Sequence, residues 1–405
     1  MVTFFVCFAK MLFSHGGEMS EQKNAFGPTE ALIYVFTELK DPRLDRCKKH
    51  KLIDIVVISV CAIVCGGRTW EDIEYFAQAR EGWLRTFLDL PNGIPSHDTL
   101  NRVFSLIDTD AFSKCFSQWV AMISDSLEGK IIGIDGKSLR GAIDSASSPV
   151  HLVNAFCLDN KTILAQCAVE DKSNEITAMP KILAMLSIKG STITADAMHT
   201  QRDTAELILA KGADYVMALK GNQGNLNSDV ALSFDGASPE VLDLRLGKRL
   251  TTVDNDHGRL EERSYWLTTD IDELVGHHKW PGLKAIGITE TQMEKGDSKS
   301  CERRYFLLSN EKATHQDFAT AVRGHWGIEA MHWTLDQTMR EDDSRIRQGN
   351  SPRNFSATRK IAMNLIKDTE LVFNGKVKKA SMASKMRVAG WDTDFMLKVL
   401  FGKKT

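Results

Sequence analysis

No Cys-x-x-Cys pair occurs among the eight cysteines (Cys7, Cys47, Cys61, Cys65, Cys115, Cys157, Cys167 and Cys301), and most of them sit inside apolar runs. That pattern argues against a disulfide scaffold or a zinc knuckle and fits reduced thiols packed as small hydrophobes, in a cytoplasmic setting. Neither sign of charge dominates: 51 Lys and Arg face 53 Asp and Glu, for a net charge of −2. A globally basic nucleic-acid binder is therefore excluded, and any DNA contact has to come from local patches. Uninterrupted apolar runs of the roughly 18 residues needed for a membrane span are also missing. The apolar start, MVTFFVCFAKMLF, has its only basic residue, Lys10, inside the run and no small-residue cleavage site after it, unlike a secretory signal. Residues 1–28 are expected to be a poorly ordered extension, with Met19 as an alternative start.

Several catalytic signatures are absent too. GIDGKS contains Gly-Lys-Ser, but Ile131 occupies the position where a phosphate-binding loop needs its first glycine. His-Glu-x-x-His does not occur, so a zinc-protease helix is ruled out. Glu329-x-x-His332 matches half of a di-iron site whose second half the chain does not supply.

What is present is a 43% hydrophobic chain of 405 residues, enough for a packed core and two or three domains. Residues 29–128 read as helices. KLIDIVVISVCAIV (51–64) has the length of a buried helix, Thr69 or the glycines before it can cap WEDIEYFAQARE, and Ser96 or Asp98 can cap the amphipathic helix after LPNGIP. From residue 130 the texture changes. IIGIDG is a short strand ending on an aspartate, VHLVNAFCL and TILAQCAVE are two strands joined by an Asp159-Asn160 turn, and helices near 175–187 and 200–211 alternate with the strands STITADA and DYVMALK. Three strands followed by alternating helix and strand argue an α/β layer with a mixed sheet. Residues 225–310 read as β-rich with no strong helix, a helical region starts near 315, and the last forty residues form a lysine-rich tail.

Chemistry is concentrated at three carboxylates. GIDGKS and ITADAM each end a strand on an aspartate, Asp135 and Asp196. A carboxylate at a sheet rim on rigid backbone suits Mg²⁺, which takes a few carboxylates and fills its octahedron with water or phosphate oxygens. For either aspartate alone, a turn or cap role is the commoner reading. The third element is the helix in RGHWGIEAMHWTLDQTMREDDSR. At about 100° per residue His325, Glu329, His332 and Asp336 share one face, and Ile328, Met331, Leu335 and Met339 form the adjacent buried stripe.

At this point a family resemblance appears. IIGIDGKSLRGA, EDKSNEITAMPKIL, ITADAMHTQRDTAELILAKGADYVMALKGNQ, DHGRLEERSYWL and RGHWGIEAMHWTLDQTMREDDSRIRQGN resemble, in order, the motifs of bacterial DDE transposases of the H-repeat-associated type. HKLIDIVVISVCAIVCGGRTWEDIEYFAQAR and NGIPSHDTLNRVFS are similar to the helical domain that precedes the catalytic one. The likeness runs from about residue 40 to 400.

The resemblance implies an RNase H-like catalytic domain over 129–366 with a β-rich insertion at about 225–310, a helical domain over 29–128 and a helical tail over 367–405. It assigns Asp135, Asp196 and Glu329 as the catalytic metal ligands, with two Mg²⁺ ions, for which Mn²⁺ can substitute. It also implies double-stranded DNA, element ends and target, as partner, with a dimer on DNA and a nucleoid-associated cytoplasmic location. The wider class carries tyrosine, arginine, glutamate and lysine on the acidic helix. Here the corresponding residues are Val322, His325, Glu329 and Asp336, so only the glutamate remains and the phosphate contacts would pass to His325, Arg323 or Arg340. Further candidates for DNA contact are Lys137 and Arg140, then Lys220, Asn222 and Gln223, then Arg259 and Arg263 with Trp266 as a stacking platform. For each basic residue a surface salt bridge is the competing reading. A non-catalytic DNA-binding relic, a plain RNase H-like nuclease and a metal phosphatase remain as alternative functions.

Overall fold

The computed structural model of the chain describes residues 26–143, 149–169, 175–256, 259–296 and 298–402. The expected N-terminal extension lies outside the described residues as far as residue 25.

The first part is helical: α1 (Pro28–Thr37), α2 (Leu52–Val64), α3 (Trp70–Ala79), α4 (His97–Leu106) and α5 (Thr109–Ile123). Helix α2 is apolar on nearly every side and is accordingly buried almost throughout, as a helix without a polar face must be. Helix α3 starts where Thr69 accepts from the Asp72 amide and the Asp72 carboxylate accepts from the Thr69 amide, so two orphan N–H groups of the first turn are satisfied. Ser96 caps α4 one way only, its hydroxyl accepting from the Thr99 amide.

The sheet follows: β1 (Ile131–Ile143), β2 (Pro149–Cys157), β3 (Thr162–Val169), α6 (Glu175–Ala184), β4 (Thr192–Ala195), α7 (Arg202–Ala210) and β5 (Asp214–Leu219). Next come α8 (Gly224–Phe234), α9 (Pro239–Leu246), β6 (Leu250–Asp256), β7 (Arg259–Thr268), α10 (Asp272–His278), β8 (Ala285–Lys295) and β9 (Ser298–Leu308). The nine strands make one sheet in the order β3-β2-β1-β4-β5-β9-β8-β7-β6. β1, β4 and β5 run parallel, and every other pairing is antiparallel. The stretch expected as an insertion thus extends the same sheet, joined edge to edge through β5 and β9. It is not all β, because α8 and α9 occupy its first third. Leu232 and Leu244 are exposed on these helices, so a clear apolar periodicity is missing there.

The long helix α11 (His315–Gln337) crosses the sheet and packs on β1, β4 and β7. Its first half buries Phe318, Ala319 and Ala321 against Val216, Tyr265 and Phe306. Its second half buries Ile328, Met331 and Leu335, with Met339 just beyond, as the spacing predicts. The chain ends with α12 (Ser351–Lys367), the hairpin β10 (Leu371–Phe373) and β11 (Lys376–Lys378), α13 (Met382–Trp391) and α14 (Thr393–Phe401). The tail expected as helical over 367–405 is a hairpin followed by two helices, and Met396, Val399 and Leu400 of α14 are in the core.

The N-terminal helices share this core. Helix α5 lies on β3, α12 contacts α2, α4 and α5, and α14 packs on α1. Among the described residues no helix is long and apolar enough to cross a membrane.

Candidate active site

Asp135 is not at a strand end. β1 continues to Ile143 because β2 pairs with it continuously from Ile132 to Leu139, and that long-range pairing overrides the turn-like composition of Gly136-Lys137-Ser138. The parallel neighbour β4 does stop, at Ala195 opposite Ile134. Asp135 therefore stands at the first position where β1 has lost its β4 partner, and Asp196 follows the last residue of β4. By the register both aspartates point to one face, the face over which α11 passes.

Two histidines of α11 hold this pair. His325 Nε2 lies 3.4 Å from Asp196 Oδ1, and its Nδ1 lies 3.0 Å from the Thr194 hydroxyl. Gly133 beneath it adds no side chain to the face: a Cβ there would sit 3.6 Å from His325 Nδ1. His332 Nδ1 lies 3.7 Å from Asp135 Oδ2, while its Nε2 is 3.3 Å from Nδ2 of Asn154, the residue paired across the strands with Asp135. Burial pushes the His332 ring down to about 3, so it is neutral, and only one of its nitrogens carries a proton.

The two aspartates titrate in opposite directions. Burial, then the Asp196 charge, pushes Asp135 up to about 6, with Glu329 adding to the rise. The hydrogen bond from His325 holds Asp196 below its ordinary value despite burial, aided by Lys220 and His199. The difference follows from the surroundings: burial dominates at Asp135, whereas the His325 hydrogen bond, with Lys220, favours the charged form of Asp196. Glu329 lies exposed on α11, one turn after His325. Asp135 feels the charges of both Asp196 and Glu329, although the ligand atoms of the three carboxylates do not all lie within 4.8 Å of one another. That donor set, with Asn154 Oδ1 buried and without a hydrogen bond, fits a hard divalent cation.

A model of the transposase DDE domain matches residues 127–365, and a model described as DDE_Tnp_1-associated matches residues 33–120. The chain belongs to the DDE transposases of the H-repeat type. YncI of Escherichia coli O157:H7, named as a transposase, is 38% identical over 358 residues, covering 86% of this chain and 90% of that one. YhhI of Escherichia coli K12, named as an H repeat-associated transposase, is 38% identical over 363 residues, covering 87% and 93%. Among solved structures a synaptic complex of the piggyBac transposase with hairpin DNA aligns with a TM-score of 0.45 at 10% identity, covering 94% of this chain and 83% of that one.

The side chains singled out for DNA contact divide into exposed and engaged ones. Lys220 is exposed at the end of β5, while Arg140, with 84% of its side chain exposed, has its Nε 3.7 Å from Asp342 Oδ2. Asn222 and Gln223 use their amides on the backbone: Asn222 Nδ2 donates to Ala197 O at 2.6 Å and Gln223 Nε2 to Thr200 O at 2.9 Å. Both bonds brace the turn that follows Asp196. Lys137 is not at the surface; with 5% of its side chain exposed, its Nζ is 2.5 Å from Asp336 and within 4 Å of Glu341 and Asp342. Arg263 is buried, ion-paired with Glu261 and Asp254, and lies 5.1 Å over the Trp326 ring. Trp266 is fully buried and donates to Asp243, so it offers no stacking face. Arg323 is half exposed and pairs with Asp254 at 2.5 Å. The Arg259 side chain lies outside the described part of the structure.

Trp326 and Trp333 were not singled out, although they flank Glu329 on α11 and are 43% and 64% exposed. Their spacing of three and four residues around Glu329 was the available signal. A second group that could hold a metal, Asp229, His277 and His278, has its ligand atoms within 4.8 Å of one another on α8 and α10. It shares no residue with the carboxylate cluster.

Proposed function

We propose that this chain cleaves DNA phosphodiesters at the ends of its element and joins the freed 3′ ends to target DNA, with Asp135, Asp196 and Glu329 as the metal-holding carboxylates. The observation that carries the reading is the register of β1 against β4, which brings the two aspartates side by side under the helix that bears Glu329. The order β3-β2-β1-β4-β5, with β2 antiparallel to its neighbours, supports an RNase H-like arrangement of the catalytic part. The helices over 29–128 are the natural seat of end recognition. Two chains on two ends would form the synapsed dimer.

Mg²⁺, or Mn²⁺ in its place, would supply charge neutralisation of the attacking and leaving oxygens in an in-line displacement. Residues of the chain do the rest. His325 orients the Asp196 carboxylate while the Thr194 hydroxyl fixes its other nitrogen. His332, locked by Asn154, does the same for Asp135. Lys220, exposed at the end of β5, would meet phosphate oxygens, and so would Arg140 by exchanging its contact with Asp342 for one with DNA. No covalent protein nucleophile is required.

The test is cleavage of a duplex carrying the element ends, with Mg²⁺ or with EDTA, by wild type, Asp135→Asn and Glu329→Gln. Metal-dependent nicking that both substitutions abolish supports the assignment. Nicking at the wild-type rate by either variant overturns it.

A further inference from the structure

The loop between α11 and α12 carries three arginines, Arg340, Arg345 and Arg347, in a stretch otherwise occupied by structural contacts. It forms a cleft of about 500 Å³ with the start of α3, where Arg68 lies opposite. Four guanidiniums line one cavity against two carboxylates, Glu71 and Asp343. In a chain whose net charge is −2, that is a pronounced local excess of positive charge.

The arginines are held out for a ligand more than for one another. Only Arg340 is neutralised, by Asp343 at 2.5 Å; among the described residues Arg68, Arg345 and Arg347 have no ion-pair partner, and all three are exposed. The N-terminus of α3 is already closed by Thr69 and Asp72, so the arginines, not the helix end, set the potential. Arg340 adopts a left-handed backbone, φ 55°, just past the end of α11, where glycine would be free of strain.

The loop is rigid. Gln348 Oε1 accepts from Asn101 Nδ2 at 2.8 Å, Asn350 Nδ2 donates to Ile107 O at 2.9 Å, and Arg347 Nε donates to Gly141 O at 3.4 Å. It lies so close over β1 that a Cβ on Gly141 would fall 2.3 Å from Asp342 O. The cleft is therefore preformed, and its two walls come from the two regions matched by the two family models: Arg68 from residues 33–120 and the other three from 127–365.

We propose that this cleft seats the sugar-phosphate backbone of duplex DNA away from the cut. Resting on the DNA-cleaving reading above, it adds a second, non-catalytic anchor. Gly141, which touches the cleft through Arg347, is six residues along β1 from Asp135, at most about 20 Å at the rise of a strand because the pairing with β2 shifts past Leu139. That span is about six base-pair steps of B-form DNA, so one duplex can occupy both the carboxylates and the cleft. Guanidinium forks suit paired phosphate oxygens, and the two-walled cleft makes duplex binding depend on both parts of the fold.

The test is equilibrium binding of the full chain to a fluorescent element-end duplex at several salt concentrations, for wild type, Arg68→Glu/Arg345→Glu and the distant control Arg387→Glu. The charge-reversed pair should bind at least tenfold more weakly, and loss of two phosphate contacts should flatten the slope of log K against log salt by about 2. A duplex ending about three base pairs from the cut should bind wild type and variant alike. The milder Arg68→Gln/Arg345→Gln should show the same trend, with unchanged circular dichroism as the check on folding. A wild type that neither binds nor cuts DNA would sink the functional reading itself. A wild type that binds and cuts, beside a folded variant of unchanged affinity and salt slope, overturns the cleft alone.

Discussion

Lys137 Nζ lies 2.5 Å from Asp336 Oδ1, an ion pair that ties the strand bearing Asp135 to the helix bearing Glu329. The ammonium also faces Glu341, which is fully buried, and Asp342. Glu341 in turn accepts from the Ser356 hydroxyl, and Lys360 bonds Ser356 and Gln166, so the network runs from β1 through α11 to α12 and β3. Removing one member leaves a buried charge uncompensated. Lys137→Met is expected to cost about 3–5 kcal/mol in urea unfolding, and Lys137→Met/Asp336→Leu to recover a large part of it. Equal destabilisation by the single and double variants would show that the pair is not the source.

Asp54 is buried in α2 with one carboxylate oxygen lacking a hydrogen bond, and burial pushes it up to about 6. Its folded value lies above its unfolded one, so the native state binds more protons between about pH 4 and pH 6. Stability is therefore lost as pH rises through that window. Asp54→Asn should stabilise the chain by about 1–3 kcal/mol at pH 7 and by almost nothing at pH 4. Denaturant midpoints at the two pH values check this; a variant without a pH-dependent gain contradicts it.

His332→Ala removes the neutral ring that faces Asp135 and leaves Asn154 without its partner. If the ring orients the carboxylate, the Mg²⁺ concentration for half-maximal cleavage should rise about 10–100-fold, with the fold intact by circular dichroism. A lower rate at unchanged Mg²⁺ dependence would assign His332 to packing.

Gly141→Ala places a Cβ against the backbone oxygens of Asp342 and Ser344, which cannot move as a flexible side chain would. We expect a loss of about 1–3 kcal/mol, read as a lower thermal midpoint. An unchanged midpoint would mean that the loop lifts off β1 at little cost.

How far the sequence carried differs from element to element. The apolar run of α2 and the 3–4 spacing of Ile328, Met331 and Leu335 were legible because burial is periodic in the chain itself. Asp196 was legible as the residue after a short apolar strand. The continuation of β1 through Gly136, Lys137 and Ser138 was not, since it depends on β2 and not on local propensity. Lys137 read as a surface cation because its counter-charge, Asp336, is 199 residues away. Trp266 failed as a stacking face for the same reason: Asp243 and Arg249, which cover it, belong to other elements.

The contact between the two ends of the described chain has a consequence for synthesis. The Thr29 hydroxyl donates to Leu400 O, and α1 packs on α14. During translation α2 and α5 cover part of the apolar side of α1 early, and only the strip beneath α14 has to wait for the last helix. A ribosome that stops before residue 393 releases a chain with that strip bare, and with it the core positions that Met396, Val399 and Leu400 would fill, so message damage near the 3′ end should raise turnover of the protein while leaving the three carboxylates untouched.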